Sequence, residues 1–263
     1  MSRPPGAATY LYCLVQSPTA PVPGRAPRGL PGLARPRTVS LGGDLWLIAA
    51  DAPLARYRAD VVNGKLRDLD WVSACAVAHE AVVEHFARAS AVVPMKLFTL
   101  FTSDARALAH IRRSRPRLAR VLARVAGRQE WGVRLVLDAA PARAAARRPA
   151  GRAPARAGAG TRFLLGKQAE QAAARRRVAG AGREADRVFR RLRSQAEDAR
   201  RRPPVESPAG TRLLLDAAFL VPARRAAAFG AAVRAVAARL AGQGYRLTLT
   251  GPWPPYSFVG ARR

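Results

Sequence analysis

Cysteine is nearly absent: Cys13 and Cys75 are the only two in 263 residues, and neither sits in a CxxC pair. Two isolated thiols make no ladder of metal ligands and read as buried free thiols in a reducing cytoplasm. No uninterrupted apolar run approaches the roughly 18 residues that suggest a membrane span. Ala7 to Val15 behind Arg3 imitates the apolar core of a secretion signal, but Tyr10, Tyr12 and Val15 read better as a first strand. Aromatic residues make up 6%, and lysine is scarcer still, with Lys65, Lys96 and Lys167 the only three among 46 basic residues. Only 17 residues are acidic, which leaves a net charge of +29. Such a balance ordinarily suggests nucleic acid or an anionic membrane as partner. Here arginine comes with abundant alanine, glycine and proline, as a GC-rich coding bias produces, and fills ordinary surface sites.

What is present is alternation, with enough apolar residues (49%) for a sizeable core. Residues 9–16 read as a strand, and 17–37, rich in proline, glycine and arginine, as a loop. Val39 to Asp51 sets Gly42-Gly43 between apolar runs, a hairpin whose second arm, Leu45 to Ile48, should be buried on both faces. From about Asp70 to Ser90 the period turns helical, with Val72, Cys75, His79, Val82 and Phe86 on one stripe. Val92 to Phe101, opened by Pro94, is expected to be one strand. Ser103-Asp104 caps a helix carrying Leu108 and Ile111. Ser114 with Pro116 starts another, with Leu118, Val121, Leu122 and Val125 inward, and Gly127 ends it. Glu130 to Asp138 is a strand again. The order β-ββ-α-β-α-β predicts an α+β fold with a split βαβ first domain, residues 1–138.

Residues 139–160 hold almost nothing but alanine, arginine, proline and glycine, and read as a low-complexity linker. Lys167 to Arg202 is a charged helical segment with a thin stripe of Val188, Phe189 and Leu192, broken or kinked at Gly180 and Gly182. Leu213 to Val221 is a strand, and Ala223 to Ala241 a helix with Phe229, Val233, Val236 and Leu240 inward. Tyr245 to Thr250 is the last strand. Residues 161–263 are thus expected to form a second α/β domain that repeats the β-α-β theme. The last strand runs into Gly251-Pro252-Trp253-Pro254-Pro255-Tyr256-Ser257-Phe258. Proline has no N–H to give, so the ladder should end near Pro252 and yield to a rigid, extended platform. Trp253, Pro254, Pro255, Tyr256 and Phe258 are the candidate partner-binding residues. Trp253 is expected to seal the sheet, and Tyr256 to turn its hydroxyl to water.

The residues of catalysis are not arranged for it. His79-Glu80 with His85 misses the HExxH spacing, because position 83 is valine and a six-residue gap turns His85 away. Gly160 to Lys167 has five residues between its glycines where a phosphate loop has four, and Gln168 stands where Ser or Thr would hold magnesium. No histidine has an obvious nucleophile beside it. No metal, cofactor or enzymatic activity is expected. The middle of the chain, residues 139–203, holds 18 basic and five acidic residues, yet Phe163 and Phe189 are its only aromatics for stacking on bases. That argues against nucleic acid, and an arginine-rich nucleic-acid-associated protein is the alternative reading.

With these segments placed, the chain resembles the gas vesicle protein F/L family. The stretch from Leu247 to Phe258, LTLTGPWPPYSF, is the most specific signature. Val93-Pro94-Met95-Lys96 with Phe98 and Phe101 resembles the family strand LPMRFGxVF, although Leu97 and Phe98 depart from its aromatic-glycine order. Glu130-Trp131-Gly132-Val133 resembles EWGVK, His79-Glu80 the helix motif, and Gly160 with Phe163-Leu164 and Lys167 the turn GxxYLxK. Tyr10-Leu11-Tyr12 is similar to its first strand. His79, Glu80, Pro94, Met95, Glu130, Trp131, Gly132 and Gly251 then carry structural motifs. The resemblance implies two α/β domains, the first ferredoxin-like, in a non-enzymatic accessory or minor structural component of cytoplasmic gas vesicles. It further implies contact with the hydrophobic shell protein and other accessory proteins during nucleation and assembly, limiting shell-protein aggregation as a chaperone-like factor would.

Overall fold

The computed structural model describes residues 6–87, 89, 91–138, 167–168, 179–203 and 210–260. They divide into two compact units, Met1–Glu130 with Pro252–Arg263, and Trp131–Gly251. The boundaries fall at 130 and 251 rather than 138 and 161, and the proline-rich segment belongs to the first unit. The expected linker at 139–160 lies outside the described residues.

The first unit is built on β1 (Ala7–Gln16), β2 (Arg37–Ser40), β3 (Leu45–Pro53), β4 (Ala91–Pro94) and β5 (Leu100–Phe101). Their order is β2-β3-β1-β4, with β5 also on β1, and each neighbouring pair is antiparallel. β1 takes the centre because AATYLYCLVQ is buried on both faces over eight consecutive residues. The chain crosses from β1 to β2 through a loop holding one 3-10 turn, Pro23–Arg25. It returns from β3 to β4 through three helices, Leu54–Tyr57, Ala59–Lys65 and Leu69–His85. The first two helices escape the sequence reading, since Tyr57 and Val62 are their only buried side chains and show no period. The third forms as expected, with Asp68 as its N-cap accepting the Trp71 N–H. Ser103 likewise caps the helix Asp104–Arg113 by accepting the Arg106 N–H, and the helix Arg115–Val125 follows with Pro116 in its first turn.

The expected single strand from Val92 to Phe101 is two. Residues 95–99 leave the sheet between β4 and β5, and Phe98 adopts φ +62°, a left-handed conformation that favours glycine. The sequence departs from the aromatic-glycine order at this residue. Phenylalanine there keeps the glycine-like backbone and adds a ring.

The second sheet contains β6 (Arg128–Asp138), β7 (Asp198–Arg201), β8 (Thr211–Pro222) and β9 (Tyr245–Trp253), in the order β7-β8-β6-β9. Counted from its own first strand, that is the order of the first sheet. Here both crossovers contain a helix, residues 179–193 and Ala226–Leu240. The split βαβ pattern expected of the first unit therefore occurs in both, and it is the second that has a helix in each crossover. One expectation for 167–202 is corrected: Asp198–Arg201 is a strand, drawn into the sheet by pairing from Asp198 with Leu220 to Arg201 with Ala217. Gly180 and Gly182 fall at the start of the described helical residues 179–193, and residues 169–178 lie outside the described ones. The inward residues of Ala226–Leu240 are Phe229, Val233, Val236 and Leu240, as read from the sequence.

The ladder also runs past Pro252. β9 is the outer strand of its sheet, where a proline can turn its missing N–H away from the neighbour, so the strand reaches Trp253. A Cβ added to Gly132 on β6 would stand 2.6 Å from Thr250 Oγ1 on β9, so the EWG and LTLTG motifs meet across the strands. Part of the arginine excess is structural. Asp216, 5% exposed, is paired with Arg134 at 3.0 Å and Arg202 at 3.3 Å, and the buried Glu184 is paired with Arg187 and Arg239.

Candidate functional site

Most of the singled-out residues meet in the first unit, where the proline-rich segment folds against β4 and the helix Arg115–Val125. It is not extended throughout. Once past the two prolines the chain winds into a helical turn, Tyr256–Val259, with the Tyr256 N–H donating to the Pro254 carbonyl at 2.8 Å and the Phe258 N–H to that of Pro255 at 2.9 Å. Pro254 and Pro255 are buried and Phe258 is fully so, with the Arg124 guanidinium 6.0 Å from its ring centre.

Glu130 holds this turn. Its Oε2 accepts the Ser257 N–H at 2.7 Å and its Oε1 accepts the Ser257 hydroxyl at 2.7 Å. The Glu130 residue is only 2% exposed, and a buried carboxylate is tolerable only when hydrogen-bonded in this way.

Tyr256 packs its ring into the first core and buries its hydroxyl beside the Glu80 carboxyl. Neither Tyr256 Oη nor Glu80 Oε1 completes a hydrogen bond of good geometry, yet each affects the other's ionisation. Burial first, then Glu80, pushes the tyrosine up. Burial also pushes Glu80 up, with the Tyr256 hydroxyl opposing and Glu84 and Glu130 adding to the rise. The expected outward-facing Tyr256 hydroxyl is thus reversed, because the turn at 256–259 rolls the ring inward. Trp253, 40% exposed, is the residue that faces out.

His79 sits on the same helix as Glu80, 3% exposed. Its Nδ1 lies 2.6 Å from the Tyr10 hydroxyl, which itself accepts the Phe98 N–H at 3.4 Å. The tyrosine proton is then free for Nδ1, which assigns the ring proton to Nε2. Burial keeps the imidazole neutral and lowers its pKa to about 4, against a weaker upward pull from the Met95 backbone. Tyr12 lies beside Tyr10 and His79, its hydroxyl accepting the Leu30 N–H at 3.3 Å. Pro94 pairs with Cys13 in β4, and the Met95 N–H donates to the Tyr12 carbonyl at 2.9 Å.

These ionisations set opposite pH dependences. The folded pKa of His79 is lowered, so its contribution, about 3 kcal/mol at full extent, is present above pH 6.5 and lost as pH falls toward about 4. Glu80 has a raised folded pKa, so it stabilises while protonated and its contribution is lost as pH rises. Glu80→Gln should therefore raise stability at pH 7 and change it little at pH 4. Urea unfolding at both pH values checks this, and equal destabilisation at the two would refute it.

The site thus joins His79, Glu80, Pro94, Met95, Glu130, Tyr256 and Phe258. Trp131, Gly132 and Gly251 belong to the second unit, where Trp131 packs on Phe229 at 6.4 Å and Gly251 adopts φ +117°. Gly160, Phe163 and Leu164 lie outside the described residues, while Lys167 is helical. Sequence reasoning missed Ser257 and the Tyr10–His79 pair. The one available signal was that Tyr10 and Tyr12 share a strand face. Among the described residues no group of three or more His, Cys, Asp or Glu is placed to hold a metal ion. No helix among them is long and apolar enough to cross a membrane.

A cluster of buried tyrosine, histidine and carboxylate here holds a proline-rich segment against the first core. Comparison with known proteins gives the family. The family described as gas vesicle synthesis protein GvpL/GvpF matches residues 8–260. Gas vesicle protein L of Streptomyces sp. (strain CB03234) is 30% identical over 259 residues, covering 95% of this chain and 92% of that protein. The crystal structure of gas vesicle protein GvpF from Anabaena sp. PCC7120 superposes with TM-score 0.71 at 16% identity, covering 98% of each chain. That of GvpF from Microcystis aeruginosa gives TM-score 0.66 at 17% identity, covering 97% of this chain and 99% of the other. These two likenesses show the shared fold, and the matched span with the Streptomyces relative shows the lineage: the chain belongs to the GvpL/GvpF family of gas vesicle synthesis proteins.

Proposed function

We propose that this protein is a non-enzymatic accessory or minor structural component of gas vesicles, which binds the hydrophobic shell protein and other accessory proteins during nucleation and assembly. A subunit destined for a wall exposes apolar surface and strand edges beforehand, an aggregation hazard that a charged partner can cover reversibly. The observation that carries this reading is Trp253. Among the described residues it is the one aromatic in the set of exposed large hydrophobic side chains. It stands between Gly251 and the buried Pro254-Pro255, next to a segment clamped by Glu130, so little entropy remains to be lost when it docks.

Deleting the gene from a vesicle-forming cluster should abolish or reduce vesicles, counted by electron microscopy. Trp253→Ala should fold with near-normal stability and lose about 2 kcal/mol of affinity, roughly thirtyfold, for the shell protein in a pull-down that withstands nuclease. Full affinity in that variant would move the docking site elsewhere. Loss of all partners on nuclease treatment would favour the nucleic-acid alternative.

A further inference from the structure

The Trp253 site leaves unused an open groove of about 660 Å³ within the first unit, between the two short helices 54–65 and the segment 97–102. Space of that size accommodates large apolar anchors, since ligand sites commonly span about 300–1,000 Å³. Its walls are mainly apolar, with Arg58, Asn63 and Thr102 the polar exceptions. Tyr57, Val62 and Leu66 stand on one side, and Leu97, Phe98 and Leu100 on the other. Leu66, which caps the second of the two helices, is 47% exposed at the groove's edge.

Phe98 is the informative wall residue. It holds φ +62°, where a non-glycine side chain costs about 1–2 kcal/mol, and such strain persists only where the surroundings fix it. Its N–H donates to the Tyr10 hydroxyl at 3.4 Å, and its ring stacks on Trp71 at 5.2 Å with 6° between planes, with Lys65 Nζ 5.3 Å from the indole centre. The strained backbone thus carries an aromatic wall with an ammonium behind it.

The lining of this groove carries a single charge, and it is positive. Arg58 is its only charged lining residue, and no carboxylate lines it. Arg58 is tied to Asp60 at 2.9 Å, but both are mostly exposed, and such a pair contributes too little to stop the guanidinium turning to another anion. An open, mainly apolar trough between two walls, with one guanidinium in its lining and no carboxylate, has the form of a helix-in-groove site.

We propose that this groove docks an amphipathic helix of a partner protein, with apolar anchors at i, i+3, i+4 and i+7 entering between Leu66 and Phe98 and acidic side chains flanking them. The proposal rests on the reading that the protein acts by binding partners, and it adds a second docking surface whose ligand is acidic.

The test uses two synthetic, fluorescein-labelled helical peptides of about 18 residues, five helical turns, titrated with the full chain by fluorescence anisotropy near physiological salt. Both carry the same leucine stripe, and they differ only in having glutamate or lysine on its flanks. The glutamate peptide is expected to bind saturably and at least about tenfold more tightly than the lysine peptide. Phe98→Gly and Leu66→Ser leave the net charge unchanged, and each should weaken the glutamate peptide by about tenfold or more. Phe98→Gly relieves the backbone strain but loses the ring's packing on Trp71 and the first core, so its circular dichroism should stay that of the parent while its melting falls modestly, and Leu66→Ser supplies the variant without that loss. Trp253→Ala should bind the peptide normally. Absence of saturable binding, equal binding of the two peptides, or full binding by both groove variants would each overturn the proposal. Peptide failure with vesicles still lost on gene deletion would sink the groove and spare the proposed function, whereas peptide binding with normal vesicles after deletion would do the reverse.

Discussion

Glu130→Ala is expected to destabilise the first unit by about 3–5 kcal/mol. The substitution strips two charge-assisted hydrogen bonds, each about 1.5–3 kcal/mol, and leaves the Ser257 N–H and hydroxyl facing a void. The melting temperature of that unit should fall by roughly 10 °C. Glu130→Gln can still accept the N–H and donate to the hydroxyl, so it should lose about half as much. Ser257→Ala removes only the hydroxyl bond, and about 1–2 kcal/mol is expected. Denaturant unfolding of the three variants ranks them. A loss below about 1 kcal/mol in Glu130→Ala would mean that the clamp is an accessory of the fold and not a fastening.

Gly29→Ala should cost at least about 3 kcal/mol. Two terms combine. Gly29 has φ +78°, which penalises any L side chain by about 1 kcal/mol. The added Cβ would also stand 1.9 Å from Tyr12 Oη and 2.8 Å from Cζ, and Tyr12 is fully buried in the first core beside Tyr10 and His79, so its ring has little room to retreat. Gly127 provides the comparison: φ is +65° and nothing lies within 4 Å of its Cβ position, so Gly127→Ala isolates the backbone term. Tyr12→Phe should cost about 1 kcal/mol, the Leu30 N–H losing its acceptor, and the double variant should lose less than the sum of the singles because the worst clash has gone. Thermal melts of the four proteins decide it. If Gly29→Ala melts no lower than Gly127→Ala, the contact with Tyr12 has no energetic weight.

What the sequence made legible followed from local chemistry. Ser103 and Gly127 mark helix ends by capping or by positive φ, and each does so here. The stripe Cys75, His79, Val82 and Phe86 is buried because a 3.6-residue period admits one inward face. The errors arose where a tertiary partner decides. Asp198–Arg201 carries no strand signal of its own and becomes one through the β8 backbone. The ladder outlasts Pro252 because β9 is an outer strand, a fact of sheet order that a single stretch cannot reveal. At the site, the motif residues were visible but not their pairing. Nothing local ties Glu130 to Ser257, 127 positions apart, and the inward roll of Tyr256 brings its hydroxyl beside a carboxyl on a distant helix. That roll reversed the expected exposures of Trp253 and Tyr256.

The discontinuity of the first unit has a consequence for its biogenesis. Glu130 emerges from the ribosome well before Ser257, and at about 5–20 residues per second the intervening chain takes roughly 6–25 s to make. Throughout that delay β4 and the helix Arg115–Val125 lack the turn that covers them, and the Glu130 carboxylate lacks its two donors. The first half of the nascent chain therefore waits, apolar surface uncovered, for residues 252–260 to close it. Nonsense or frameshift lesions upstream of Pro252 would accordingly disable the part of the protein made first, leaving an unfinished N-terminal unit for proteases to remove.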